Sequence, residues 1–146
     1  MIRKQVERYK PLPASQYDVN KRDIDQIKKR LQDFVEREPE ASAEISSLRR
    51  LSEERKETLR VYLLASDTVN SRMCAEVIRN GLQLENVEIA FNEHQHVISG
   101  LQVTNRQNFE KDGLRNLFDV FEQITGGYYG HTLCNITGGY KATIPL

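Results

Sequence analysis

No stretch of the chain approaches the roughly 18 consecutive apolar residues that a membrane-spanning helix requires. The amino terminus, Met1 to Lys10, carries charge but lacks the apolar core of a secretory leader. Cysteine is scarce. Cys74 and Cys134 sit in apolar contexts without CxxC spacing, which predicts buried free thiols in a reducing, cytoplasmic setting. Net charge is missing too: 21 basic residues balance 21 acidic ones. That removes any global pull toward duplex nucleic acid or an anionic membrane, so neither is an expected partner. The phosphate-binding signatures G-x-x-x-x-G-K-[ST] and G-x-G-x-x-G are absent. No Ser/His/Asp set has hydrolase spacing, and no internal repeat or low-complexity tract occurs. His94-Gln-His96 has no carboxylate or thiolate set beside it, so neither a metal nor another cofactor is expected.

What is present is a polar chain of 146 residues, 38% hydrophobic and 29% charged, long enough for one domain with a core. Residues 1–20 read as an arm or loop broken at Pro11-Leu-Pro13, with a short helix at its start. Residues 21–146 read as the domain. From Arg22 to Glu38, Ile24, Ile27, Leu31, Phe34 and Val35 form one helical stripe, stopped by Pro39. The run Lys28-Lys29-Arg30 reads as its solvated face. A second helix spans Ala41 to Arg55, with Ser42 as N-cap. Leu59 to Ala65 is the clearest strand, apolar enough for an interior parallel strand. Ser66-Asp67-Thr68 ends it, and Asp67 or Thr68 caps a helix over Val69 to Leu82. Asn86 to Phe91 is a further strand. Asn92 to Asn108 reads as an irregular connection of the functional or lid type. Phe109 to Thr125 is helical and ends at Gly126-Gly127.

The chain's organising stretch is His131-Thr-Leu-Cys-Asn-Ile-Thr-Gly-Gly-Tyr-Lys141. Leu133, Cys134 and Ile136 suggest a short buried strand running through a glycine turn into a helix. Such a turn presents backbone N–H groups, and here also a cation, to a phosphate. The spacing fits a ligand-binding turn and a plain strand-to-helix turn equally. Asn135-Ile-Thr137 also spells a glycosylation acceptor, set aside because the strand is expected to be buried. For Ser66, Asp67 and Thr68, ligand binding at a parallel strand end competes with helix capping. The strand–helix order predicts an α/β, Rossmann-like three-layer domain with a mainly parallel sheet.

Asn135-Ile-Thr-Gly-Gly-Tyr-Lys141 resembles the Asn-x-Thr-Gly-Gly-x-Lys signature of CARF domains, the CRISPR-associated Rossmann fold. Ala43-Glu-Ile-Ser-Ser-Leu48, Val61-Tyr-Leu-Leu-Ala-Ser-Asp-Thr68, Ser71-Arg-Met-Cys-Ala-Glu76, Gly100-Leu-Gln-Val103 and Gly113-Leu-Arg-Asn-Leu117 fit the stand-alone branch that includes ring nucleases. The resemblance covers the chain from about Ala41 to Leu146. It implies a homodimer that binds cyclic oligoadenylate, the messenger of type III CRISPR antiviral defence. In this family the ligand is either sensed, so as to switch an effector, or cleaved without metal by attack of a ribose 2′-hydroxyl on the adjacent phosphate. Carried over, Asn135, Thr137, Gly138 and Gly139 line the phosphate and ribose site, Lys141 contacts phosphate as the catalytic cation, and Ser66, Asp67 and Thr68 border the pocket. The family's opening strand, with its Gly-Thr-Ser-like turn, has no counterpart in residues 1–20. The expectation is therefore a domain truncated at both ends, its first strand missing, with binding better supported than cleavage. An unrelated Rossmann-like nucleotide binder is the remaining alternative.

Overall fold

The structure, a computed structural model, describes residues 2–38, 40, 42–102 and 106–135. Helix α1 spans Ile2–Tyr9, and two 3₁₀ turns follow at Ala14–Gln16 and Asp18–Asn20. Helices α2 (Lys21–Arg37) and α3 (Ala43–Glu54) precede strands β1 (Leu59–Tyr62) and β2 (Ala65–Ser66). Helix α4 (Val69–Gly81) then crosses over to β3 (Val87–Ala90). A single helical turn, α5 (Glu93–His96), leads into β4 (Val97–Ile98). A last helical run comprises α6 (Arg106–Asn108), a π-turn (Phe109–Gly113) and α7 (Leu114–Thr125).

β1 pairs in parallel with β3, with Leu59 opposite Val87, and β2 pairs in parallel with β4, with Ala65 opposite Val97. The fold is thus mixed α/β with short parallel strands, the class expected of a Rossmann-like layer. Side chains alternate across the strands and so define the layers. Val61 and Ile89 pack with Val35, Ile45, Leu48 and Val77, beneath α2, α3 and α4. Leu64 packs on the opposite side with Ile98, Phe109, Leu114 and Leu117, beneath α7.

Several local expectations change. The long strand is interrupted at 63–64, and apart from the exposed Arg60 its residues are half-buried until Ala65 and Ser66. Among the described residues β1 has a strand partner on one edge only, β3, so the cover expected of an interior strand is incomplete. The connection after β3, expected to be irregular over Asn92 to Asn108, is regular in its first part. The Asn92 side chain accepts from the His94 N–H at 2.9 Å and starts α5, and Val97 and Ile98 then join the sheet. Four-residue and two-residue elements are too short to leave a periodic trace. The strand expected from Leu133 to Ile136 is not formed over its described part: residues 132–135 are irregular and exposed, Leu133 at 62%. Gly126 and Gly127, both with positive φ, turn the chain off α7, and the Tyr128 and Thr132 amides close successive turns. Both thiols are free, but Cys74 and Cys134 are exposed rather than buried. With Asn135 also exposed, burial is not what removes the Asn135–Thr137 acceptor sequence.

The segment 1–20 contributes to the core. Tyr9 and Tyr17 are buried with Ile24 and Ile27 of α2 and Val69 and Met73 of α4. Burying each of these large side chains is worth about 1.5–3 kcal/mol. Lys28 does not belong to the solvated face assigned to its run; Lys29 and Arg30 do. Its Nζ donates to Glu76 Oε2 of α4 at 2.6 Å, the Tyr17 hydroxyl donates to the same oxygen at 2.5 Å, and Arg72 Nε donates to Oε1 at 3.1 Å. The Arg72 guanidinium lies 3.9 Å above the Tyr17 ring centroid. Burial pushes the Glu76 carboxyl up, but the hydrogen bonds from Lys28, Tyr17 and Arg72 outweigh it and hold the group below its ordinary value. Burial, reinforced by the bond to Glu76, pushes the Tyr17 phenol well above its ordinary value.

Glu76→Ala leaves Lys28 with Asp25 alone and Arg72 with the more distant Asp18 and Glu93, and is expected to cost about 1–3 kcal/mol at neutral pH, measured by urea unfolding. Because the folded carboxyl titrates lower than the unfolded one, its contribution is fully present above the ordinary glutamate range. It is lost as pH falls through the folded value. The cost of Glu76→Ala should therefore shrink on acidification. A cost that stays constant down to pH 3 would remove the ionic basis of this contact.

Candidate functional site

The sequence places its polar clusters at two strand ends, and the structure describes one of them fully. At the end of β2, the Ser66 N–H donates to Ser71 Oγ at 2.9 Å, and the Ser66 and Thr68 hydroxyls lie 3.3 Å apart. Thr68 has extended backbone geometry and is the N-cap of α4; its Oγ1 accepts from the Ser71 N–H at 3.2 Å. Asp67 is not the cap. Its Oδ2 accepts from the Gly100 N–H at 3.2 Å, and its carbonyl accepts from the Gln102 side-chain amide. Asp67 thus ties the end of β2 to the loop after β4.

The α4 N-terminus is largely satisfied from within. The Val69 N–H donates to the Leu12 carbonyl at 3.0 Å and the Arg72 N–H to the Thr68 carbonyl at 3.1 Å. The Asn70 amide holds the Val6 carbonyl at 3.1 Å. A helix N-terminus attracts anions through unpaired N–H groups, and here a cap and the N-terminal segment already engage them.

Sequence reasoning gave Gly100 and Gly113 no site role, although both lie in segments that carry the family resemblance. Gly100 has a φ of 75°. A Cβ built on Gly113 would stand 2.6 Å from the Gly100 carbonyl oxygen. The loop after β4 and the π-turn before α7 therefore touch backbone to backbone, which only glycine at 113 permits. The Asn116 side chain adds a hydrogen bond to the Ser99 carbonyl at 2.9 Å. The paired glycines of the two segments were the available signal.

The second cluster is described only at its start. Asn135 is exposed, and its Nδ2 donates to Ser47 Oγ of α3 at 2.5 Å. The hydrogen bonds of Ser66, Asp67 and Thr68 go instead to Ser71, Gly100 and Gln102. Thr137, Gly138, Gly139 and Lys141 lie outside the described residues, as does Ile136. Of the two histidines proposed against metal binding, His94 is exposed beside Glu93, and His96 is buried against Tyr62 and Phe91. His131 is exposed next to Tyr128.

A family model described as CRISPR-associated protein (Cas_APE2256) matches residues 39–146. No curated protein matches the chain. No solved structure matches it either.

Gly113→Ala is expected to destabilise the protein by about 1–3 kcal/mol through this backbone clash. Thr68→Ala should cost about 1 kcal/mol through loss of the cap. Asp67→Ala should lower the melting temperature by freeing the loop after β4. A melting curve unchanged by Asp67→Ala would show that the carboxylate does not hold that loop.

Proposed function

The chain belongs to the CRISPR-associated protein family Cas_APE2256, and from that premise we propose that it serves type III CRISPR antiviral defence by binding cyclic oligoadenylate, cyclic tetra-adenylate in particular, at a homodimer interface in the cytoplasm. The observation that carries this reading is the position of the Asn135-to-Lys141 heptapeptide, with its CARF-like spacing, inside the matched span. The parallel strands, and the polar cluster at the end of β2, are compatible with a nucleotide site at the strand ends. In this reading Asn135, Thr137, Gly138 and Gly139 face phosphate and ribose. Lys141 supplies the compact cation that pairs with phosphate. Ser66, Asp67 and Thr68 form the border.

The enzymatic version is a ring nuclease. A ribose 2′-hydroxyl of the ligand gives up its proton and attacks the adjacent phosphate, the P–O5′ bond breaks to leave a 2′,3′-cyclic phosphate and a 5′-oxygen that takes up a proton, the ring opens, and Lys141 stabilises the charge that develops on phosphate. The second reading is a sensor that binds without turnover. One observation favours it: the polar groups at the end of β2 are engaged in capping α4 and holding the loop after β4. They act there as structure.

Incubating the purified protein with labelled cyclic tetra-adenylate and cyclic hexa-adenylate, without added metal, separates the versions. Linear product indicates the nuclease, and binding without product indicates the sensor. No binding of either ring would overturn the reading in favour of an unrelated nucleotide binder. Lys141→Ala is expected to weaken binding of cyclic tetra-adenylate by about tenfold or more, the scale of one charge-assisted contact, and to abolish any cleavage. Unchanged affinity and turnover would sink the role of Lys141.

A further inference from the structure

Helix α7 carries more apolar surface than it buries. Leu114, Leu117, Phe118, Val120, Phe121 and Ile124 are apolar, yet none of its residues is fully buried. Leu114, Leu117 and Val120 pack inward against Leu64, Ile98, Leu101 and Phe109. Phe118 is 51% exposed and Phe121 is half-buried, and among the described residues neither joins a packed apolar cluster. At 3.6 residues per turn the two phenylalanines centre roughly 70° round the helix from the inward three. Leu114, Phe118, Phe121 and Thr125 thus follow a four–three–four spacing and form a second stripe beside the one that packs on the sheet.

The charges beside this stripe select its occupant. Arg115 and Glu122 lie on the same flank of it, seven residues apart. The ion pair of Arg115 with Asp112, at 3.5 Å, is solvent-exposed, so little is lost when the guanidinium turns to another carboxylate. Glu122 is exposed, and its carboxylate meets no cation among the described residues. Two copies of such a face fit each other. When two α7 helices run antiparallel about a two-fold axis, Phe118 of one copy meets Phe121 of the second, and Leu114 meets Thr125. The same register sets Arg115 beside Glu122 of the second copy, twice by symmetry.

We propose that α7 is a self-association surface, through which two copies of the chain pair antiparallel, with Phe118 and Phe121 at the centre and Arg115–Glu122 ion pairs at the rim. α7 begins where Gly113 approaches Gly100, next to the Asp67 tie at the end of β2. Its 12 residues span roughly 18 Å, so antiparallel pairing carries the two strand ends to opposite ends of the helix pair. The contact is therefore separate from the ligand-bearing homodimer interface proposed above, forms without ligand and does not rest on that reading. A chain that uses both surfaces assembles beyond a dimer.

The test is sedimentation equilibrium of the full chain without ligand, up to the concentrations of an NMR sample. The parent chain is expected to dimerise reversibly, because one helix pair makes a small interface. Phe118→Glu, at an exposed position, should leave the melting transition in place and abolish the dimer. Arg115→Glu, which sets carboxylates against each other at both rim contacts, should weaken the dimer about fivefold or more, and Glu122→Arg should do the same with cations. Combining the two should restore the parent affinity, the signature of the antiparallel register. A parent chain that stays monomeric overturns the proposal and leaves the face to a different protein. So does a dimer that Phe118→Glu leaves intact, or a double variant that stays as weak as the single ones. Cyclic tetra-adenylate, added afterwards, bears on the other surface alone: a further rise in mass supports the function proposed above, and its absence leaves the α7 contact standing.

Discussion

Glu76 joins three segments that are distant in sequence. Its two carboxylate oxygens receive the Tyr17 hydroxyl from the 3₁₀ turns, the Lys28 ammonium from α2 and the Arg72 guanidinium from its own helix. A carboxylate this deeply placed is costly without partners, and the same holds for the two cations. Each group is tolerable only because the others are there, so the N-terminal segment, α2 and α4 must assemble together. Arg72 extends the cluster outward, with Asp18 at 3.9 Å and Glu93 of α5 at 3.7 Å. The helical layer on one side of the sheet is thereby coupled to the turn that introduces β4.

That coupling determines what the strand ends can offer. With α4 fixed, its N-terminus meets the Leu12 carbonyl, and the Thr68 cap sits directly after β2. Asp67 is left to hold the loop after β4, and that loop rests on the π-turn through Gly100 and Gly113. The end of β2 is therefore a rigid corner built from mutual hydrogen bonds. A recess between β1, α5 and α7 mixes Tyr62, Val120 and Ile124 with His96 and the exposed side chains of Gln95 and Gln123.

Much of the scaffold was legible in the chain. The stripe of Ile24, Ile27, Leu31, Phe34 and Val35 forecasts α2, although Phe34 of that stripe is exposed, and Ser42 and Thr68 sit where capping chemistry places them. Gly126 ends α7 in the left-handed conformation that glycine favours. What escaped were elements and contacts without a local code. β4 is two residues long, α5 is four, and neither leaves a periodicity. Lys28 sits in a run of three basic residues, and its inward turn depends on a glutamate 48 positions away. The expected strand after His131 had Leu133, Cys134 and Ile136 in its favour and glycine-driven turns against it, and over the described residues the turns prevailed.

Sequence by itself determined the long helices, the Ser42 cap, the parallel α/β class and, through ordered motifs from Ala41 onward, the resemblance to a CRISPR-associated family. Those features are written in neighbouring residues, where periodicity and capping act over one or two turns. Tertiary structure alone decided that residues 1–20 enter the core, that Asp67 is a loop tie and not a cap, and that His96 packs edge-on against Tyr62. Each of these depends on groups brought together from separate elements, and no local rule specifies which distant donor will meet a buried carboxylate.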